Sequence, residues 1–360
     1  MKPNIRIDID ILRNFCKEIF IRLGLNSDDA PTAAEVLVAA DVRGIPSHGA
    51  GRILRYINGI KSGMMLPAAT MKTINESPGS IVIDANGGMG APVSVRMMKK
   101  IIDKADVNGS AFGCIKNSNH FGISGYYAMM ALERDMLGIA MTNTPALGVP
   151  TFGRQVMFGT NPIAFAAPAN REKAFVLDMS TTVTARGKIE MYDRKEESIP
   201  LGWAVDKTGR PTTDARSLLD DMFHRRGGGI LPLGGTGEKF GGHKGFGLAV
   251  MVDILCAVLC GAPMGPELSD TDTSKRMSHF FGAIKISGFR DPDNFRTDMD
   301  RMLSRLRNCP PAVGEERVYF AGLKEFEKEE EVKRNGVPLQ KKTRDLLHRI
   351  AEDLGVKSPF

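Results

Sequence analysis

The stretch Ala111-Phe112-Gly113-Cys114-Ile115-Lys116-Asn117-Ser118-Asn119-His120-Phe121-Gly122-Ile123-Ser124-Gly125-Tyr126-Tyr127 changes character as it runs. Its first six residues are β-prone. Polar and glycine residues follow, and a helical pattern then continues to Arg134. A strand that enters a helix in this way is the repeating unit of an α/β protein. The amides at such a junction carry partial positive charge and suit a phosphate or carboxylate. His120 lies in that turn.

Outward from this junction the alternation continues. Ser80–Asp84, Leu137–Thr142, Pro162–Ala167 and Ala174–Asp178 are short β-prone runs bounded by Gly, Pro or Asn, with a helical pattern at Val93–Val107. The ends are helical. Leu12, Phe15, Cys16, Ile19, Phe20 and Leu23 share one helix face. Ser27 is placed to cap a second helix running to Val42, and a third is expected from Ser47 to Gly63. After Arg210 the chain is loop-like, and an apolar run from Lys244 to Cys260 predicts a buried helix. A strand at Phe280–Ser287 precedes C-terminal helices broken by a further strand, Arg317–Ala321. The division expected is a discontinuous helical lobe, 1–75 with 295–360, around an α/β domain, 76–294.

Composition narrows the class. The 360 residues are 42% hydrophobic and 25% charged, which suits a globular protein. A net charge of +6 is dispersed and favours small anions over nucleic acid. Five cysteines lack any C-x-x-C spacing, a reducing-compartment pattern. The first ten residues hold no apolar signal core, and the apolar run Leu248–Gly261 is shorter than the roughly 20 residues that span a bilayer. A cytoplasmic protein with no membrane partner is expected. The six histidines show no H-x-x-x-H or H-E-x-x-H spacing, so no metal site is expected.

The usual nucleotide signatures fail. Gly88-Met89-Gly90-Ala91-Pro92-Val93 and Gly235-Thr236-Gly237-Glu238-Lys239-Phe240 both lack the last glycine of G-x-G-x-x-G, and His243 stands where a P-loop needs lysine. The segment from Ser47 carries more chemistry. At about 100° per residue, His48, Arg52 and Tyr56 would share one helical stripe beside apolar Ile53, Ile57 and Ile60. A histidine exchanges protons near neutrality, an arginine clamps a carboxylate, and a tyrosine adds a donor. Gly241-Gly242-His243-Lys244 brings backbone amides and a lysine to another helix start. Thr142-Asn143-Thr144, Gly159-Thr160-Asn161 and Asp178-Met179-Ser180 put polar residues at strand ends, where α/β proteins bind ligands.

Taken together, Asp41-Val42-Arg43-Gly44-Ile45-Pro46-Ser47-His48-Gly49, Ser118-Asn119-His120-Phe121-Gly122, Gly159-Thr160-Asn161-Pro162, Leu177-Asp178-Met179-Ser180 and Gly242-His243-Lys244-Gly245-Phe246-Gly247 resemble, in order and over nearly the whole chain, the non-Rossmann malate/L-lactate dehydrogenase family, which includes sulfolactate and ureidoglycolate dehydrogenases. The resemblance implies an α/β fold with helical terminal segments packed around a mixed sheet, and a homodimer with a nicotinamide dinucleotide, NAD or alternatively NADP, near the subunit interface. It implies reversible hydride transfer with a small 2-hydroxy or 2-oxo acid, malate/oxaloacetate first, or lactate or sulfolactate.

By the same resemblance Ser47 and His48 form a catalytic pair, and His120 is a second acid/base position. Arg52 and Tyr56 bind substrate. His120, Phe121, Gly122, Ile123, Ser124, Thr144, Asp178, Met179, Ser180, His243, Lys244, Met277, Ser278 and His279 match cofactor positions. An NADPH-dependent cyclic imino-acid reductase is the alternative on this scaffold. That branch is expected to carry an acid just after the Asp178 strand, where this chain reads Arg186-Gly187-Lys188. A non-catalytic dinucleotide-binding protein is the alternative from another class, and it would have no use for an acid/base beside a carboxylate clamp. Which of Arg43, Arg55 and Lys116 would meet a second carboxylate stays open, as does any role for 215–229.

Overall fold

A computed structural model describes residues 5–360. A short strand β1 (Ile5–Ile7) leads into α1 (Ile9–Arg22), which buries Leu12, Phe15, Cys16, Ile19 and Phe20 on the face its apolar spacing predicts. Next come α2 (Asp29–Val42), a 3₁₀ turn at Ala50–Arg52 and α3 (Ile53–Lys61). The sheet region holds β2 (Lys72–Ser77), β3 (Ser80–Asp84), α4 (Gly90–Asn108), β4 (Ser110–Ser118), α5 (Ser124–Met130), β5 (Met136–Thr142), β6 (Ile163–Ala167) and β7 (Phe175–Met179). A smaller unit follows: α6 (Arg186–Lys195), β8 (Ala204–Val205), β9 (Pro211–Thr212), α7 (Ala215–Phe223) and β10 (Gly229–Ile230). Then come α8 (Gly242–Cys256), β11 (Met277–Lys285), α9 (Pro292–Arg307), α10 (Leu323–Asn335), β12 (Val337–Leu339) and α11 (Lys341–Leu354).

The main sheet is mixed, in the order β2-β3-β4-β11-β5-β6-β7. Only β3 and β4 run parallel, joined by the crossover α4, and every other neighbouring pair is antiparallel. Strand alternation sorts the side chains. Ile115 and Phe281 pack on the side of α4 and α5, while Cys114 and Phe280 pack beneath α8. Each large apolar side chain fully buried this way contributes about 1.5–3 kcal/mol. The terminal helices share a separate core: Leu12, Phe20, Leu37 and Ile53 pack with Val337, Leu339, Leu347 and Ile350, and β1 pairs with β12. The segment 186–230 has a small core of its own around Ile189, Ile199, Leu218 and Ile230.

Four local expectations are corrected. Ser27 does not cap α2; the Asn26 side chain accepts from the Asp28 and Asp29 amides instead, at 2.9 and 2.8 Å. Arg317–Ala321 forms no strand, because only the Ala321 carbonyl reaches the sheet edge, accepting from Val176 N–H at 3.0 Å. The helix near Ser47 starts later, at Ile53. The apolar helix α8 is not buried all round. It rests Gly245, Ala249, Val252 and Cys256 on the sheet and turns Val250, Met251 and Ile254 outward. With the following turn it spans 19 residues, long and apolar enough by composition to cross a bilayer. Its Asp253 turns inward, accepting from Asn161 Nδ2 at 3.2 Å.

One buried guanidinium ties these parts together. Arg276 donates to the Met64 and Gly63 carbonyls at 2.8 and 3.0 Å, to Asn117 Oδ1 at 3.0 Å and to the Thr273 carbonyl. It thereby joins the end of α3, the end of β4 and the loop before β11. Leaving buried acceptors unmet costs about 1–3 kcal/mol each. Arg276→Met is expected to lower stability by about 2–4 kcal/mol in urea denaturation, with the m-value unchanged.

Candidate active site

The Ser47 region reaches its place through a buried carboxylate. Asp41, near the end of α2, accepts the Ala50 N–H at 2.6 Å, so the 3₁₀ turn starts there and not at Ser47. Gly49 is extended, and a Cβ on it would fall 2.0 Å from Asp41 Oδ1. His48 therefore sits in a turn ahead of α3, not on its stripe. Ser47 does not cap; its Oγ lies 3.0 Å from His48 Nδ1. Arg52 is exposed and uses Nε to bind the Ser47 carbonyl at 2.6 Å, which leaves the outer guanidinium edge free of any acidic partner among the described residues.

The second half comes from the turn after β4. Asn119 donates to the Gly87 and Gly88 carbonyls at 2.9 and 3.0 Å, which fixes the turn against the start of α4. The His120 ring stacks on His48, with centroids 5.5 Å apart and planes 17° apart. Tyr56, buried on α3, places Oη 2.8 Å from His120 Nδ1. Gly122 N–H also donates to that nitrogen, at 3.4 Å. Nδ1 is therefore an acceptor, Tyr56 donates to it, and the neutral ring carries its proton on Nε2. The fold thus brings Ser47, His48, Arg52, Tyr56 and His120 together.

Electrostatics keep both rings neutral. Burial, then the charges of Arg52 and Arg55, push His48 down to about 4. Burial, then Arg55, His48 and Arg52, push His120 well below the usual histidine range.

Beside the turn lies a cavity of about 280 Å³ lined by Arg43, Ile123, Gly125, Asp178, Tyr319 and Glu325, among others. Asp178 accepts the Gly125 N–H at 2.7 Å, so the protein's own carboxylate already holds this amide of the α5 start. Burial by the cavity wall raises the Asp178 carboxyl, against the pull of that amide and of Arg43. Ser124 is buried beside it. Thr144 and Ser180 meet at Thr160: Thr144 Oγ1 accepts the Thr160 amide at 3.0 Å, and Ser180 Oγ donates to its carbonyl at 3.1 Å. Met179 ends β7 beside them.

The other expected positions stand apart. His243 and Lys244 are exposed at the start of α8, and neither joins the histidine cluster. Met277, Ser278 and His279 are buried in β11. His279 has both ring nitrogens engaged, by Thr142 Oγ1 at 2.8 Å and Ser118 Oγ at 2.9 Å, and stacks on buried Phe121. The sequence gives no sign of the cavity wall at 319–325: its first part falls in the strand expected at Arg317–Ala321 and the rest in the C-terminal helical region.

The family described as malate/L-lactate dehydrogenase matches residues 7–348. The chain is 41% identical over 354 residues to a malate dehydrogenase of Pyrococcus abyssi, covering 98% of this chain and 96% of the relative. It is 37% identical to an L-sulfolactate dehydrogenase of Methanocaldococcus jannaschii, covering 98% and 95%. The crystal structure of malate dehydrogenase from Entamoeba histolytica superposes with a TM-score of 0.95 at 31% identity, covering 99% of this chain and 100% of the other.

Burial raises Asp41 to about 7, so the folded state holds a proton that the unfolded chain releases near 3.8. That contribution to stability is complete below about pH 4 and lost as pH rises through 7. Asp41→Asn keeps the acceptor for Ala50. Its stability relative to wild type is expected to rise from pH 4 to pH 7, read by denaturant melts at each pH.

Proposed function

Because the chain belongs to the malate/L-lactate dehydrogenase family, we propose that it is a reversible NAD-dependent dehydrogenase of a small 2-hydroxy acid, with malate and oxaloacetate as the preferred pair. The observation that carries this reading is the neutral His48–His120 stack beside the open guanidinium edge of Arg52. Arg52 holds the carboxylate next to the reacting carbon. His48 takes the hydroxyl proton, because His120 Nδ1 already accepts from Tyr56 and Gly122 N–H and its Nε2 carries the ring proton. His120 keeps its proton on Nε2 and donates a hydrogen bond to the oxygen as it becomes a carbonyl. Tyr56 maintains that tautomer.

The residues around the cavity fit a dinucleotide. Asp178 commits one oxygen to Gly125 and has the other for a ribose hydroxyl, while Ile123 and Gly125 offer an apolar wall and close backbone approach. The wall carries Arg43, paired with Glu329, and Lys324, over the Tyr319 ring, as well as Asp178 and Glu325; the uncommitted Asp178 oxygen suits a ribose diol, which supports NAD over NADP. When bound, the nicotinamide accepts or returns the hydride. The five unpaired cysteines, four of them buried, support a cytoplasmic setting.

His48→Gln is expected to lower kcat about 10²- to 10⁴-fold with malate and NAD, while NADH binding by fluorescence titration stays within about threefold. Wild-type kcat/KM for oxidation should fall only as pH drops toward 4, since the base stays neutral above that value. His120→Gln should lower kcat and keep the inflection. Near-wild-type turnover in His48→Gln would remove that ring from the mechanism.

The outward face of α8 and the turn after it, Val250, Met251, Ile254, Val258 and Leu259, supports a homodimer. Light scattering after size exclusion should give two chains per particle for wild type and one for Ile254→Asp.

A further inference from the structure

A 2-oxo acid offers Arg52 the carboxylate next to its carbonyl. What meets the far end of the substrate decides which acids are accepted. Arg43, Arg55 and Lys116 are separated by the fold. Arg43 is buried on the cavity wall, 4.6 Å from the Phe326 ring centre and paired with Glu329 at 3.2 Å. Lys116 lies on β4, and its charge acts on Cys260, on the α8 side of the sheet. Arg55 lies in the first turn of α3, three residues after Arg52. It directly precedes Tyr56, whose Oη meets His120, and its charge bears on His48, Tyr56 and His120.

The partner of Arg55 is instructive. Asp270, on the surface segment just before Arg276, places Oδ1 3.1 Å from Arg55 Nη2. Arg55 is 35% exposed and Asp270 is 68% exposed. The Asp270 carboxylate makes no other side-chain hydrogen bond or ion pair among the described residues. An exposed pair of this kind is weak, at most about a fivefold effect on an equilibrium, so an incoming carboxylate can replace it. Arg52, by contrast, faces no acid among the described residues. The site therefore presents two guanidiniums three residues apart, one open and one lightly occupied by a carboxylate of the protein.

We propose that Arg55 receives the second carboxylate of a dicarboxylic 2-oxo or 2-hydroxy acid, and that Asp270 occupies this position until the substrate displaces it. The assignment rests on the dehydrogenase reading above. It makes Arg55 the residue that separates dicarboxylic from monocarboxylic substrates, with Arg52 serving both.

The test compares oxaloacetate with pyruvate, using NADH and the full chain. Arg55→Gln is expected to lower the ratio of their kcat/KM values at least about tenfold, mostly through KM for oxaloacetate, since a hydrogen-bonded charge pair is lost. Arg55→Lys should recover part of the ratio. Asp270→Asn should lower KM for oxaloacetate about two- to fivefold. An unchanged ratio in Arg55→Gln, or an equal loss for both acids, overturns the assignment.

Calorimetric binding of tartronate and of lactate to the NADH-loaded protein separates this inference from the reading beneath it. If no 2-oxo acid turns over, yet tartronate binds more tightly than lactate and Arg55→Gln abolishes the difference, the dehydrogenase reading falls and the Arg55 assignment stands. If turnover is present and the tartronate preference survives Arg55→Gln, the reverse holds.

Discussion

A single imidazole inside the sheet sets the position of everything near His120. His279 sits on β11, the strand inserted between β4 and β5, and hydrogen-bonds Ser118 on one side and Thr142 on the other. Burial pushes it down to about 3, so the ring is neutral. A charged ring there would lose its hydration with no carboxylate to repay it. Hydroxyl partners suit a neutral imidazole, because each can donate or accept. Ser118 is the last residue of β4, and Phe121, on which His279 stacks at 4.4 Å, lies just past His120. The turn is thus gripped on both sides of the residue it presents. Both ring nitrogens of His279 are thus engaged within the protein.

Two neutral rings under two arginines make a site that is positive without titrating near neutrality. An anionic substrate meets cations on arrival, and its own charge then relieves the field that keeps the histidines from taking a proton. Binding and proton affinity are coupled through Arg52 and Arg55, which act on His48 and His120 together. The Tyr56 hydroxyl adds direction, since it settles which nitrogen of His120 is the donor.

Much of this was legible in the chain. Period-two and period-3.6 patterns located β3 to β7, α1 and α4 within a few residues, because their apolar residues recur at strand or helix spacing. The polar turn at Asn117–Gly122 was visible for the same reason that it works: no apolar pattern runs through it. The helical stripe proposed for His48, Arg52 and Tyr56 was wrong in its geometry, although the same residues meet. Asp41 supplies the cap from the preceding helix, a contact that local spacing does not encode. Helix α8 misled because uniform apolarity reads as burial, whereas here half of the surface looks outward. The cavity wall at 319–325 and the Arg55–Asp270 pair join segments more than a hundred residues from their partners. Only the assembled sheet brings them together.

The close approach at Gly49 has a consequence for how this sequence can change. A side chain there would overlap the Asp41 carboxylate, and at Gly90 it would lie 2.1 Å from the Asn119 carbonyl. Neither position tolerates a lone replacement, because the space belongs to a hydrogen-bonding group that holds one of the two histidines. Substitutions at 41 and 49 are therefore epistatic. A side chain at 49 would require a shorter residue at 41, and that route passes through an intermediate that misplaces His48, so drift should leave Gly49 fixed while position 41 accepts only a residue of the same shape that keeps the acceptor.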